Sequence, residues 1–442
     1  MNSITDYAII QRDKNGFGKC IFSGEYKYSG EIIMARVVSE DDNSTVIPWH
    51  RCSVGANEWK TELCVPEGGL YRAEARLCGA EQTETNNRYD WCDLIACVCH
   101  FGVGDIFVMA GQSNMSGYGR DPAYDPPELG IHLFDNSAKW CLAVHPLNSV
   151  PFPVYPNNDS SSGTSPALSF ARALRRKLNV PIGLVAAAQG GSPLAAWNPA
   201  EEKPYLYEAL VQKLNAVGQF RGMIWYQGCN EACDIQNAEA YLDKFTETVS
   251  LWREKFGYFP IATCQINRHA WKEEDREKMW GIVREAQRQA AKKIPDVYVI
   301  PTIDMYTSDG IHNASGACIV IGERLAAAML KGHYRMGGYF APDIKKITKT
   351  GSRTVLLEFE EKHMLRTMDD LACGMNIEDE HGMADCTSVC VLDSGAQVTC
   401  ARDIGNNAVF HAYWHREQPA FFIRDIYGMP MLACYGVRIE EC

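Results

Sequence analysis

No stretch of the sequence is long enough to cross a bilayer. The longest aliphatic run, VPIGLVAAA at 180–188, falls well short of the roughly 20 residues a spanning helix needs. The opening residues, MNSITDYAIIQRDKNG, lack a basic segment followed by an apolar one, so no signal peptide is expected and the cytoplasm is the expected compartment. Positive charge is short relative to negative: 43 Lys and Arg stand against 55 Asp and Glu, a net of −12. That balance argues against nucleic acid or an anionic membrane surface as partner. Cysteine is plentiful but its paired spacing is missing. The 18 cysteines are scattered over 442 residues, which reads as buried free thiols rather than a disulfide framework. The best metal candidate, CVCH at 97–100, has no second ligand pair and fits a strand whose alternate residues share a face. Neither a metal nor an organic cofactor is expected. There is also no internal repeat and no low-complexity linker.

What is present is the composition of a packed protein, with 46% hydrophobic and 22% charged residues. At ~150 residues per domain, the length points to about three domains. Residues 1–100 carry short β-branched and aromatic runs (EIIMARVVSE, EWKTELCVP) broken by Gly, Asn and Asp, the pattern of a β-sandwich. Residues 101–335 alternate apolar runs (GDIFVMAG, VPIGLVAAA, GMIWYQG, PIATCQI, DVYVIPTID) with amphipathic helical stretches. One of these, TSPALSFARALRRKLN, opens on Thr164 or Ser165 as cap, with Pro166 in the first turn. This alternation predicts a parallel α/β sheet covered by helices on both faces. Residues 336–442 return to β character (RTVLLEFEE, SVCVLD, AVFHAYWH).

Ligands of parallel α/β sheets bind at the carboxyl ends of the strands. Four segments fall there: GQSNMSG (111–117), QGGSPLAAW (189–197), WYQGCNEA (225–232) and DGIH (309–312). Singly, each has a bland reading: Ser113 as a turn residue, Gly190 and Gly191 as a tight turn, Asp309 as a helix cap, Trp197 and Trp225 as core. Together they supply what acyl transfer needs. A hydroxyl is a poor nucleophile until a base takes its proton, and an imidazole, ordinarily titrating near neutrality, suits that task. Ser113 and His312 form such a pair, and Asp309, three residues before His312, can fix the tautomer. The oxyanion of the tetrahedral intermediate requires donors aimed at it in advance. The backbone N–H groups of Ser113 and Gly191, with a side-chain amide from Gln227 or Asn230, are the candidates.

These four blocks resemble those of the SGNH hydrolase superfamily, and their wording is closer still to carbohydrate acetylesterases of the sialate O-acetylesterase type. YAIIQRD near the start and AVFHAYWHREQPAFFIRDIYGMPMLAC near the end resemble that family's flanking β-rich regions. The resemblance implies a three-layer flavodoxin-like sheet, Ser113 as nucleophile, His312 as general base and then acid, Asp309 as its orienting partner, and Gly191 as an oxyanion donor. One block departs: where the family reads Gln-Gly-Glu, this chain has Gln227-Gly228-Cys229. Gly228-Cys229-Asn230-Glu231 instead resembles the superfamily's Gly-x-Asn-Asp pattern, which keeps Asn230 beside Gln227 as third donor.

The resemblance further implies O-acetylated sialic acid as substrate, with acetylxylan or another acetylated sugar as alternative. Gln112, Trp197, Trp225 and Arg268 are the expected substrate contacts, with Arg120, Tyr226 and Trp271 as further candidates; a cation such as Arg268 would meet a sialate carboxylate. A different class is a non-catalytic carbohydrate-binding protein on an esterase scaffold. The flanking β regions leave homo-oligomerisation open.

Overall fold

The computed structural model describes residues 3–26, 32–78, 94–160, 162–362, 364–368, 371–393, 395–417 and 419–441. Its centre is a sheet built outward from one long strand, β1 (Leu94–Gly111). After β1 come a single helical turn, α1 (Ser113–Ser116), then β2 (Ile131–Phe134), β3 (Trp140–Leu142), α2 (Pro166–Leu178), β4 (Ile182–Ala186) and α3 (Tyr205–Val217). The chain continues through β5 (Gly222–Tyr226), α4 (Ile235–Phe256), β6 (Ile261–Cys264), α5 (Glu274–Lys293), β7 (Val297–Ile300) and α6 (Ser315–Met329). The strand order is β3-β2-β4-β1-β5-β6-β7, parallel throughout except for the β2/β3 hairpin. Ile106, Phe107, Val108 and Met109 of β1 are fully buried, as a strand covered on both faces requires. Each contributes about 1.5–3 kcal/mol by leaving water.

Local chemistry sets the helix boundaries. Ser165 caps α2, its Oγ accepting the Ala167 N–H at 3.2 Å, Pro166 follows, and Asn179 ends the helix in the left-handed conformation. Asp234 caps α4 by accepting from Asn237 N at 3.0 Å.

The N-terminal residues are β-rich and continuous with the centre. The strand Gly68–Cys78 pairs antiparallel with β1, Ile9–Gln11 pairs parallel with it at Gly102–Gly104, and a separate small sheet joins Phe17–Glu25, Ser53–Val54 and Glu58–Pro66. The expected boundary at 100/101 therefore lies within β1. At the start of the apolar half of β1, Asp105 is fully buried and accepts from Arg12 (2.7 and 3.1 Å), Gln11 (2.8 Å), Arg221 (2.9 Å) and Tyr334 (2.7 Å). Burial pushes the Asp105 carboxyl up, but the Arg12 hydrogen bond and the charges of Arg221 and Arg12 outweigh it and hold it below the usual carboxylate range.

Residues Ile344–Arg438 contribute a seven-stranded antiparallel sheet. It is clamped to the centre by Gln265, which exchanges hydrogen bonds with the Ala433 backbone (2.8 and 2.9 Å), and by the ion pairs Arg288–Asp343 (2.7 Å) and Arg424–Asp304 (2.8 Å).

Cys97 and Cys99 place their sulfurs 3.6 Å apart, as alternate strand residues do, while His100 pairs with Glu40 at 2.8 Å. Among the described residues no group of three or more His, Cys, Asp or Glu is arranged to hold a metal, and no helix is long and apolar enough to cross a membrane.

Candidate active site

The strand β1 ends on Gly111 because the chain must turn where it lies against β5. Gly111 has φ +129°, and a Cβ there would come within 2.3 Å of the Tyr226 carbonyl oxygen. Only glycine suits that approach. Two residues later Ser113 opens α1 with its side chain directed at the loop following β7. The Ser113 hydroxyl lies 3.0 Å from His312 Nε2, and His312 Nδ1 lies 2.7 Å from Asp309 Oδ2. A carboxylate only accepts, so the proton resides on Nδ1 and the Nε2 lone pair faces the serine hydroxyl.

Asp309 is itself held by its own loop. Its Oδ1 accepts the N–H groups of Ile311 and His312, both at 2.8 Å. Burial raises the carboxyl's pKa, but these bonds, led by the imidazole's, keep it below its ordinary value.

The serine turn and the histidine loop are fastened together by a pair of asparagines. Asn114 Oδ1 accepts from Asn313 N (2.9 Å) and Asn313 Nδ2 (3.0 Å), and Asn313 Oδ1 accepts from Asn267 (2.7 Å). Tyr118 lies against the imidazole of His312, ring centroids 4.5 Å apart and 30° from parallel.

A buried carboxylate that no motif marks out, Asp159, joins these parts to the glycine loop. It accepts from Ser116 Oγ (2.9 Å), Tyr118 OH (3.0 and 3.1 Å) and Gly190 N (3.0 Å). Its setting, NNDSSSG, reads in sequence as an ordinary turn.

Next to Gly190, Gly191 has φ +69° and its carbonyl accepts from Asn230 Nδ2 at 3.0 Å. Among the described residues the N–H groups of Ser113 and Gly191 make no hydrogen bond within the chain.

Four expected site residues sit differently from their sequence reading. Gln227 is fully buried, and its amide N–H groups go to the Ser192 carbonyl (3.3 Å) and to Glu231 Oε2; its side chain therefore faces away from the serine rim. Gln112 is also buried, and its Oε1 accepts the N–H groups of Gly228 and Cys229, both at 3.0 Å. It shapes the third loop instead of facing substrate. Trp197 and Trp225 are core residues with no exposed surface, 5.3 Å apart edge to face, and Trp197 Nε1 donates to Ser192 Oγ at 3.2 Å. Their rings are taken up by packing, so neither is a platform for a sugar.

Asn230 stands at the rim, and Arg268 is half-buried beside the Asp309 loop. Cys229 is buried and burial pushes its thiol up, which makes it inert as a nucleophile. Glu231, 6% exposed, accepts from Gln227 and from Leu194 N (2.5 Å).

A hydroxyl, an imidazole and a carboxylate in line, with unpaired backbone donors alongside, suit transfer of an acyl group. The sequence profile of the family described as "carbohydrate esterase, sialic acid-specific acetylesterase" matches residues 103–331, just over half of the chain, and the protein belongs to that family. It is a carboxylic ester hydrolase, a carbohydrate acetylesterase. Among relatives, a probable carbohydrate esterase of Arabidopsis thaliana is 25% identical over 251 residues, 51% of this chain and 90% of that protein. The sialate O-acetylesterase of Homo sapiens is 23% identical over 175 residues, 32% of this chain and 33% of that protein. Among solved structures, a carbohydrate acetylesterase from Xanthomonas citri shares the fold across 97% of both chains, with a TM-score of 0.68 at 19% identity.

Proposed function

We propose that the protein removes O-acetyl groups from acetylated sialic acid by way of an acetyl-serine intermediate. His312 Nε2 takes the Ser113 proton as Ser113 Oγ bonds to the acetyl carbonyl carbon. The carbonyl oxygen becomes an oxyanion facing the N–H groups of Ser113 and Gly191 and the amide of Asn230. As the intermediate collapses, the ester C–O bond breaks and the sugar alcohol leaves with the proton held by His312. Water, deprotonated by the same imidazole, then attacks the acetyl-serine, releasing acetate and returning the proton to Ser113. Asp309 holds the imidazole in the required tautomer and stabilises its charged form.

The observation that carries this reading is the unbroken line Asp309–His312–Ser113, at 2.7 and 3.0 Å. Sialic acid as the sugar is supported by the family's description and by the likeness to sialate O-acetylesterase. The same reading takes the central sheet and its helices as the three-layer flavodoxin-like arrangement, flanked by sandwich-like domains on either side, in the cytoplasm.

The test is acetate release from a panel of O-acetylated sialic acids and acetylated xylo-oligosaccharides. Turnover is expected on the sialic acids, with Ser113→Ala reducing it to background. A Ser113→Ala protein as active as the parent would sink the serine mechanism, and turnover confined to xylo-oligosaccharides would move the substrate to acetylxylan.

A further inference from the structure

Two thiols that take no part in the esterase site meet on β1. Cys97 and Cys99 are alternate residues of the strand and share a face, with their sulfurs 3.6 Å apart in a hydrogen bond. Cys97 is exposed and Cys99 is half-buried, so a small reagent can reach the pair. They lie on the stretch of β1 that pairs with the strand Gly68–Cys78, where Glu74 stands opposite Cys97.

The backbone here is irregular. Val98 pairs with Ala73 and Phe101 with Tyr71, so between these points β1 carries one residue more than its partner, a β-bulge. His100 lies in the bulge with φ +58°, a left-handed conformation that costs a residue with a side chain roughly 1–3 kcal/mol. Carboxylates from two other segments hold it there. Asp6 Oδ1 accepts the Cys99 N–H at 2.7 Å, and Glu40 accepts from His100 N and His100 Nδ1, both at 2.8 Å. Strain held in place by partners from outside the strand marks a feature with a task beyond pairing.

Residues two apart in a regular strand stand about 6.6–6.8 Å apart at Cα, the long end of the separation that a disulfide spans. A bulge bends its strand and draws such residues together. A disulfide closed here works near the limit of its geometry, and strained or exposed disulfides are the readily reduced ones. Burial, the hydrogen bond with Cys99 and the charge of that sulfur push the Cys97 thiol up to about 12, with Glu74 adding to the rise and Arg72 opposing it. Arg72 and Glu74, on the neighbouring strand, pair with each other at 2.6 Å. Of the two sulfurs, Cys97 is thus the one that keeps its proton while Cys99 is free to react.

We propose that Cys97 and Cys99 form a reversible disulfide by exchange with a small-molecule disulfide of the glutathione class. The Cys99 thiolate attacks one sulfur of the reagent, a protein–glutathione bond forms as the reagent's S–S bond breaks, and one glutathione leaves. Cys97, no longer facing the charge of Cys99, gives up its proton and attacks the Cys99 sulfur. The Cys97–Cys99 bond forms and the second glutathione leaves. Two electrons pass from the protein's thiols to the reagent, and the two thiol protons depart on the two glutathiones. The exchange asks nothing of Ser113 or His312, so it stands or falls apart from the esterase mechanism.

The experiment equilibrates the folded full-length protein with mixtures of oxidised and reduced glutathione, blocks the remaining thiols with iodoacetamide and maps the peptides by mass. The peptide holding both sulfurs should escape alkylation and weigh two hydrogens less than its reduced form. Reduced glutathione in about tenfold excess over the oxidised form should reopen it, as for a strained bond. In Cys97→Ser the exchange should halt at its first step, leaving glutathione on Cys99.

Alkylation of both sulfurs at every glutathione ratio overturns the proposal. So does a wild-type mixed disulfide that never resolves, a bond from either sulfur to a third cysteine, or a closed bond that reduced glutathione cannot reopen. The wild-type map decides by itself, so a Cys97→Ser protein that fails to fold leaves the proposal open to refutation.

Discussion

Asp159 offers the sharpest test of how the site is held. Its carboxylate accepts from two separate segments, among them Ser116 and Tyr118 beside the nucleophile and Gly190 N beside the proposed oxyanion donor Gly191. In Asp159→Leu both oxygens are lost while the side chain keeps nearly its size. The hydroxyls of Ser116 and Tyr118 can rotate toward other acceptors, but the Gly190 N–H, fixed in the backbone, cannot. Leaving that donor unmatched costs about 1–3 kcal/mol. If this frees the glycine loop to shift by about 1 Å, the rate falls roughly a hundredfold. The measurement is steady-state hydrolysis of p-nitrophenyl acetate, with thermal unfolding to confirm that the variant is folded. A hundredfold lower kcat at nearly constant KM is expected, because the small ester makes few contacts that the loop controls. Tyr118→Phe removes one donor and keeps the ring on His312, so a loss of only about three- to tenfold is expected. Were folded Asp159→Leu to keep the parent's kcat, the carboxylate would be a fold element with no hold on the reacting atoms.

Asn230→Ala should lower kcat by about 10²–10³ through loss of an oxyanion donor, whereas Gln227→Ala should show itself first as a lower Tm; the reverse pattern would restore Gln227 as the donor. Trp197→Ala should cost about 3–5 kcal/mol of stability in denaturant unfolding, and a change confined to KM would return the ring to the substrate. Asp105→Asn should destabilise the fold by about 1–3 kcal/mol at neutral pH, because it leaves the partly buried guanidinium groups of Arg12 and Arg221 without their shared charge partner. Since the native carboxyl is held below 3.8, its contribution is complete above that value and disappears as pH falls through the lower native pKa. The gap between parent and variant should therefore close on acidification, and a gap that widens would contradict the assignment.

The three side chains that stand in line, Ser113, His312 and Asp309, were legible as a set because each lies in a short contiguous block beyond an apolar strand. The direction of the neighbouring side chains was not. In a strand buried on both faces, hydrophobicity does not alternate, so nothing in GQSN or WYQG tells an inward glutamine from an outward one. Gln112 and Gln227 both proved to be internal braces. Trp197, read as a sugar contact, completes the packing around Trp225. The expected boundary at 100/101 rests on the change from β-type runs to strand and helix alternation, and Gly102 and Gly104 just beyond it do not end a strand. They are strand residues under crowding: a Cβ on Gly104 would fall 1.8 Å from the Pro181 carbonyl oxygen. Asp159 was out of reach for another reason, since it acts on groups distant along the chain and lies in no patterned segment.

The eighteen residues of β1 make the amino-terminal strands and the nucleophile parts of one mechanical member. A fragment starting at residue 101 would sever that member in mid-span and discard Arg12, the partner of Asp105. Trimming the enzyme to its catalytic core should thus blunt catalysis from a distance, and a lesion near residue 10 should register as lost turnover before any residue near Ser113 has been altered.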